Sequence, residues 1–134
     1  MNRRITALLA ALAAAACAET AGAHHSFAAE FDANSPIDLT GIVTKVAWAN
    51  PHTFFYIDVT NQKGEVENWA LEMGSPNGLM RRGWTRDSMK IGDVVTVTGS
   101  RAKDGSFKGN ARSVTLSTGN RLFAGSSQEN AESN

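Results

Sequence analysis

A small, closed all-β domain is the fold this sequence predicts, on three observations. Five segments carry apolar and β-branched residues at or near the strand period, turn residues separate them, and one short segment with helical end signals falls between the third and the fourth. Three strands, a helix, then two strands is the order of the five-stranded OB-like barrel, a Greek-key closure whose helix lies between strands three and four. The expected class is therefore β-rich with one short helix. Closure also removes the unpaired strand edges that an open sheet of this size would expose.

The segment ahead of the strands is of another kind. Met1-Asn2-Arg3-Arg4 is a basic start, and Ile5 to Ala16 is an almost unbroken apolar run, too short to stay in a membrane as a spanning helix. Ala21-Gly22-Ala23 places small residues at −3 and −1 of a cleavage site, so residues 1–23 read as a signal peptide and His24 as the mature amino terminus. The alternative is a lipid anchor on Cys17, but Ala14-Ala15-Ala16 before it lacks the leucine such a signal normally carries. Cys17 is the one cysteine, so cleavage leaves a domain with neither disulfide nor thiolate chemistry. About 110 residues then remain, enough for a single domain with one modest core.

Residues 24–36 read as an irregular amino-terminal arm ending in Asn34-Ser35-Pro36, and the barrel domain is expected over 37–125. Strand one runs from Ile37 to Trp48, with Ile42, Val46 and Trp48 on one face. Asn50-Pro51 breaks it. In strand two, His52 to Thr60, the residues Phe55, Ile57 and Val59 share one face, and His52, Phe54, Tyr56 and Asp58 share the other. A turn at Asn61-Gln62-Lys63-Gly64 leads to strand three, Glu65 to Met73, which points Trp69, Leu71 and Met73 inward. Ser75 suits a helix N-cap, Pro76 the first helical position and Gly83 the C′ position, and Trp84 to Lys90 offers another helical turn. Strand four, Val94 to Ser100, and strand five, Phe107 to Leu116, flank the hairpin signal Lys103-Asp104-Gly105. Residues 120–124 suggest a short last strand, and the polar stretch 126–134 a disordered tail. The expected core is Leu39, Ile42, Val46, Phe55, Ile57, Val59, Trp69, Leu71, Leu79, Val95, Val97, Val114 and Leu116.

Composition narrows the function. The 13 Lys plus Arg balance 13 Asp plus Glu, and removal of Arg3, Arg4 and Glu19 with the signal leaves the domain near neutrality. That argues against a nucleic-acid partner, which calls for a basic excess. No H-E-x-x-H, G-x-S-x-G, Walker A or dinucleotide fingerprint occurs, so a binding role is expected ahead of an enzymatic one.

Several motifs in order carry a resemblance: His24-His25-Ser26-Phe27, Gly41-Ile42-Val43, Ala49-Asn50-Pro51-His52, Glu72-Met73-Gly74-Ser75-Pro76-Asn77, Arg81-Arg82-Gly83-Trp84 and Gly92-Asp93. Together they resemble a family of short exported bacterial proteins of unknown function. The resemblance implies a Gram-negative periplasmic setting, an OB-like β fold and a shared pairing of His24-His25 with Asn50-Pro51-His52. It implies no activity.

The three histidines, His24, His25 and His52, supply the chemistry. Imidazole is the commonest biological metal ligand near neutral pH, and a terminal amine on His24 would add a nitrogen to the same ion. A nitrogen-rich set of this kind favours copper, with zinc second. Glu30 and Asp32 offer oxygen ligands nearby in sequence. Met73, Met80 and Met89 read as gap-filling core residues rather than thioether ligands. The alternative function is a non-metal binding module for a glycan, a peptide or an envelope protein, using the barrel face, where Trp48, Phe54, Tyr56 and Trp84 could stack, although core or edge packing is the expected role for most of these four. Arg81 and Arg82 suit the negative end of the short helix.

Overall fold

The computed structural model describes residues 27–126. The expected signal peptide, His24, His25 and residues 127–134 of the expected tail lie outside the described residues. Residues 27–30 form a helical turn in one compact unit, and the β domain from Phe31 onward is a second. Its strands are β1 (Phe31–Ala47), β2 (Phe54–Thr60), β3 (Val66–Glu72), β4 (Val94–Ala102), β5 (Lys108–Thr115) and β6 (Arg121–Phe123), with helix α1 (Pro76–Met80) between β3 and β4. Among the described residues no helix is long and apolar enough to cross a membrane.

The sheet order is β3-β2-β1-β4-β5-β6, and a further parallel pairing of β3 with β5 rings the hydrogen bonds through five strands. This is the OB-like closure expected from the element order. Long β1 makes it feasible: its first part pairs with β4, its last part with β2, and Ile42 has partners on both, Asp58 and Val94. The strand starts at Phe31 rather than Ile37. Asn34-Ser35-Pro36, expected to be an irregular lead-in, sits inside it at a register shift between Asp32 and Pro36.

The inward face of β1 differs from the expected one. Ile37, Gly41 and Val43 are buried, while Ile42 is 50% exposed. The cause is a second register shift: Val43 pairs with Ile57 and Lys45 with Tyr56, which leaves Thr44 as an inserted residue. One inserted residue exchanges the two faces of everything beyond it. The bulge brings Val46 and Trp48 back against the core while Ile42 points outward. A single continuous alternation through β1 is thus two half-strands of opposite phase.

Elsewhere the expected core forms. Phe55, Ile57, Leu71, Leu79, Val97 and Val114 are fully buried, and Leu39 and Val46 pack partly buried against them. Met73 and Met89 fill the core as expected, but Met80 is 49% exposed, since it turns away one position beyond buried Leu79. The segment 84–90 is a set of turns rather than a helix, with Ser88 N–H donating to the Thr85 carbonyl, yet it seats Trp84 in the core.

Local signals explain α1. Ser75 is its N-cap and accepts a hydrogen bond from Gly78 N–H at 3.2 Å, with Pro76 following. Past its end, Trp84 N–H donates to Leu79 O and Gly83 N–H to Met80 O, the two bonds of a Schellman closure. Gly83, at φ 93°, takes the left-handed position this closure needs. At the β4–β5 hairpin, hydrogen bonds from Ser106 hold the Asp104 carboxyl below its ordinary range, and Arg101 binds the Gly105 carbonyl at 2.6 Å.

The phase of β1 is tested by a pair of neighbours. Val43→Ala should lower the urea unfolding free energy by about 2 kcal/mol, from two lost methyl groups and the space they leave. Ile42→Thr, which keeps the β-branch on the outer face, should change it by no more than about 0.5 kcal/mol. The reverse ranking would place Ile42 in the core.

Candidate functional site

His52 lies at the mouth of the β2–β3 pair. The register set by the turn after β2 matches Thr60 with Val66 and, at the other end, Phe54 with Glu72. Two backbone bonds extend the pairing past Phe54: Met73 N–H donates to Thr53 O at 2.8 Å, and Thr53 N–H to Gly74 O at 3.1 Å. They hold the backbone next to His52 against the end of β3. The Asn50–Pro51 bond just before it is cis.

The imidazole is oriented through one nitrogen. Nδ1 is 3.2 Å from the Met73 carbonyl oxygen and 3.4 Å from Glu72 Oε1. A backbone carbonyl can only accept, so Nδ1 carries a proton and donates to Met73. In the neutral form of a ring held this way, Nε2 is the nitrogen that carries the lone pair. The His52 side chain is 34% exposed and that of Glu72 12%, so the pair sits at the edge of solvent.

Two unpaired buried polar atoms belong to residues that adjoin this pair in the chain or in register. Among the described residues, the buried side-chain polar atoms without a hydrogen-bond partner are Trp48 Nε1, Thr53 Oγ1 and Asn110 Oδ1. Thr53 is the chain neighbour of His52, and Asn110, only 3% exposed, is the β5 register partner of Glu72. Trp48 begins the same β1–β2 turn. Buried polar atoms are paired almost everywhere in folded proteins, and two of these three exceptions are direct chain or register neighbours of the His52–Glu72 pair.

The other expected site residues separate. His24 and His25 are outside the described residues, and among the described residues no group of three His, Cys, Asp or Glu side chains is arranged to hold a metal ion. Asp32 has a local structural role, its carboxylate accepting from Asn34 N–H at 2.9 Å within the β1 irregularity. Of the four aromatics proposed for a binding face, Trp84 is excluded: it is buried, and its Nε1 donates to Phe123 O at 2.8 Å. Phe54 and Tyr56 do share the outer face, half-buried, with Lys108 over the first ring at 5.8 Å and Lys45 over the second at 5.3 Å. Arg82 does not act at the helix end. It binds Gly125 O at 2.7 Å and lies over the Phe123 ring, tying β6 to the body.

Glu72 is the site residue that sequence reasoning missed. The signal was present: counting back from the Asn61–Gly64 turn puts Glu72 opposite Phe54, and strand alternation puts it on the face opposite Leu71 and Met73.

Residues 11–112 match the model of a family of unknown function, DUF6152. No curated protein matches the chain.

The unpaired hydroxyl of Thr53 gives a direct check on how this region is packed. Replacing it by a methyl in Thr53→Val removes an unsatisfied polar atom at almost constant shape, so urea unfolding should show no loss and a gain of up to about 1 kcal/mol. A loss above about 1 kcal/mol would mean that the hydroxyl has a partner in solution.

Proposed function

The chain belongs to this family of unknown function, and we propose that it is a periplasmic protein that binds a transition metal through histidine, copper first and zinc second. His52 is the ligand that the barrel supplies. The observation carrying this reading is the commitment of its Nδ1–H to the Met73 carbonyl and to Glu72. Metal-bound histidines characteristically donate their second nitrogen to a carbonyl or carboxylate, which fixes the ring and raises the basicity of the coordinating nitrogen. His24 and His25 enter on the sequence alone, as ligands of the same ion or of another. Buffering, delivery or sensing of the ion all fit such a protein.

A second reading has an observation of its own. Phe54 and Tyr56, each with a lysine over its ring, make a half-buried aromatic row suited to a non-metal ligand such as a glycan, a peptide or an envelope protein. The two readings fail on different variants.

The test is intact mass together with Cu(II) titration of the full protein isolated from the periplasm. The expected result is a chain beginning at His24 that binds one copper tightly. His52→Ala should weaken that binding at least tenfold, Glu72→Gln should weaken it less through loss of ring orientation, and Tyr56→Ala should leave it unchanged. Binding no tighter than that of an unstructured His-His peptide, or binding indifferent to His52→Ala, would overturn the proposal.

A further inference from the structure

Two strand irregularities, one on β1 and one on β5, border a common groove. On β1, Asp32 pairs with Arg101 and Pro36 with Ser100, so residues 33–35 have no partner on β4. On β5, Ser113 pairs with Thr98 and Ala111 with Gly99, which leaves Arg112 as the inserted residue. Gly99 permits this geometry, since a Cβ there would fall 1.9 Å from the Asn110 carbonyl oxygen. Bulges of this kind bend a strand and re-aim a side chain. Here they border an open groove of about 430 Å³ whose polar lining comes from Asp38, Thr98, Ser100 and Arg112, with Ala33 and Ile37 among its apolar wall.

The groove holds two opposite charges that do not neutralise each other. No ion pair joins Asp38 to Arg112, and among the described residues neither side chain has a hydrogen-bond partner. Both are exposed, so neither is held by burial. Asp38 pairs with Thr98, and Thr98 with Ser113, the chain neighbour of Arg112. Two strand spacings, about 10 Å, therefore separate the carboxylate-bearing and guanidinium-bearing backbone positions, with the β4 residues Thr98 and Ser100 between them.

We propose that this groove binds a small zwitterion of the amino-acid or dipeptide class, its carboxylate on the Arg112 guanidinium and its ammonium on the Asp38 carboxylate. An extended dipeptide of about 7 Å with a hydrogen bond of about 2.9 Å at each end spans about 13 Å, which a long Arg112 side chain leaning outward from a backbone about 10 Å away can accommodate. Guanidinium is the cation best shaped for a carboxylate, because its planar fork donates two parallel hydrogen bonds. Asp38 disfavours simple anions by like charge. The site shares no residue with the His52 region.

The experiment is a nuclear magnetic resonance titration of the full protein with L-alanyl-L-alanine, its N-acetyl derivative and its C-terminal amide. Saturable shifts are expected at the amides of Thr98, Gly99, Ser100 and Arg112 with the free dipeptide, and at least tenfold weaker binding for each capped form. Arg112→Gln should abolish the preference for a free carboxylate, and Asp38→Asn the preference for a free ammonium, with far-UV circular dichroism unchanged in both. No saturable shift, equal binding of the capped forms, or shifts centred elsewhere would overturn the assignment.

Discussion

The parallel pairing of β3 with β5 is the constraint on which the rest of the structure depends. It matches Ala70 with Lys108, Leu71 with Gly109 and Glu72 with Asn110, and Ala70 N–H donates to Phe107 O at 2.9 Å. Without it the strands form an open sheet with β3 as a free edge. With it the inner faces of five strands turn toward one another, and Phe55, Leu71, Val97 and Val114 become a shared core. The pairing joins segments far apart in the chain, so its closure entropy must be met by contacts that form together with it. Trp69, buried and against the Phe107 ring at 5.5 Å, is one of them.

The same closure arranges the chemistry. Glu72 is held between β2 and β5 by two registers, which presents its carboxylate to His52 on one side and sets Asn110 beside it on the other. The imidazole is thus oriented by an element that the ring itself fixes. The groove at Asp38 and Arg112 has a different origin. It arises where pairing is interrupted, and the interruptions are local to β1 and β5. One region uses regular pairing to orient an imidazole, and the other uses broken pairing to leave charged groups unengaged.

Much of this was legible in the residues. Ser75, Pro76 and Gly83 marked the helix because each satisfies a backbone demand at one end, and the turn residues at 61–64 and 103–105 marked the hairpins for the same reason. What could not be read was whatever depends on two segments at once. Thr44 as an inserted residue is defined only by the pairing of β1 with β2, so Ile42 was assigned to the core in place of Val43. Trp84 looked available as an aromatic surface, and its burial depends on β6 reaching it with the Phe123 carbonyl. Arg112 gave no signal at all, since its position as an unpaired residue exists only against β4.

Native-state hydrogen exchange at the Ala70 amide tests the closure most directly. If the β3–β5 pairing governs the fold, that amide exchanges only when the whole domain unfolds, with an opening free energy equal to the global value from urea unfolding. Exchange several kcal/mol more easily than global unfolding would show that the ring opens while the rest stands, and would separate the orientation of His52 from the barrel that is held to provide it.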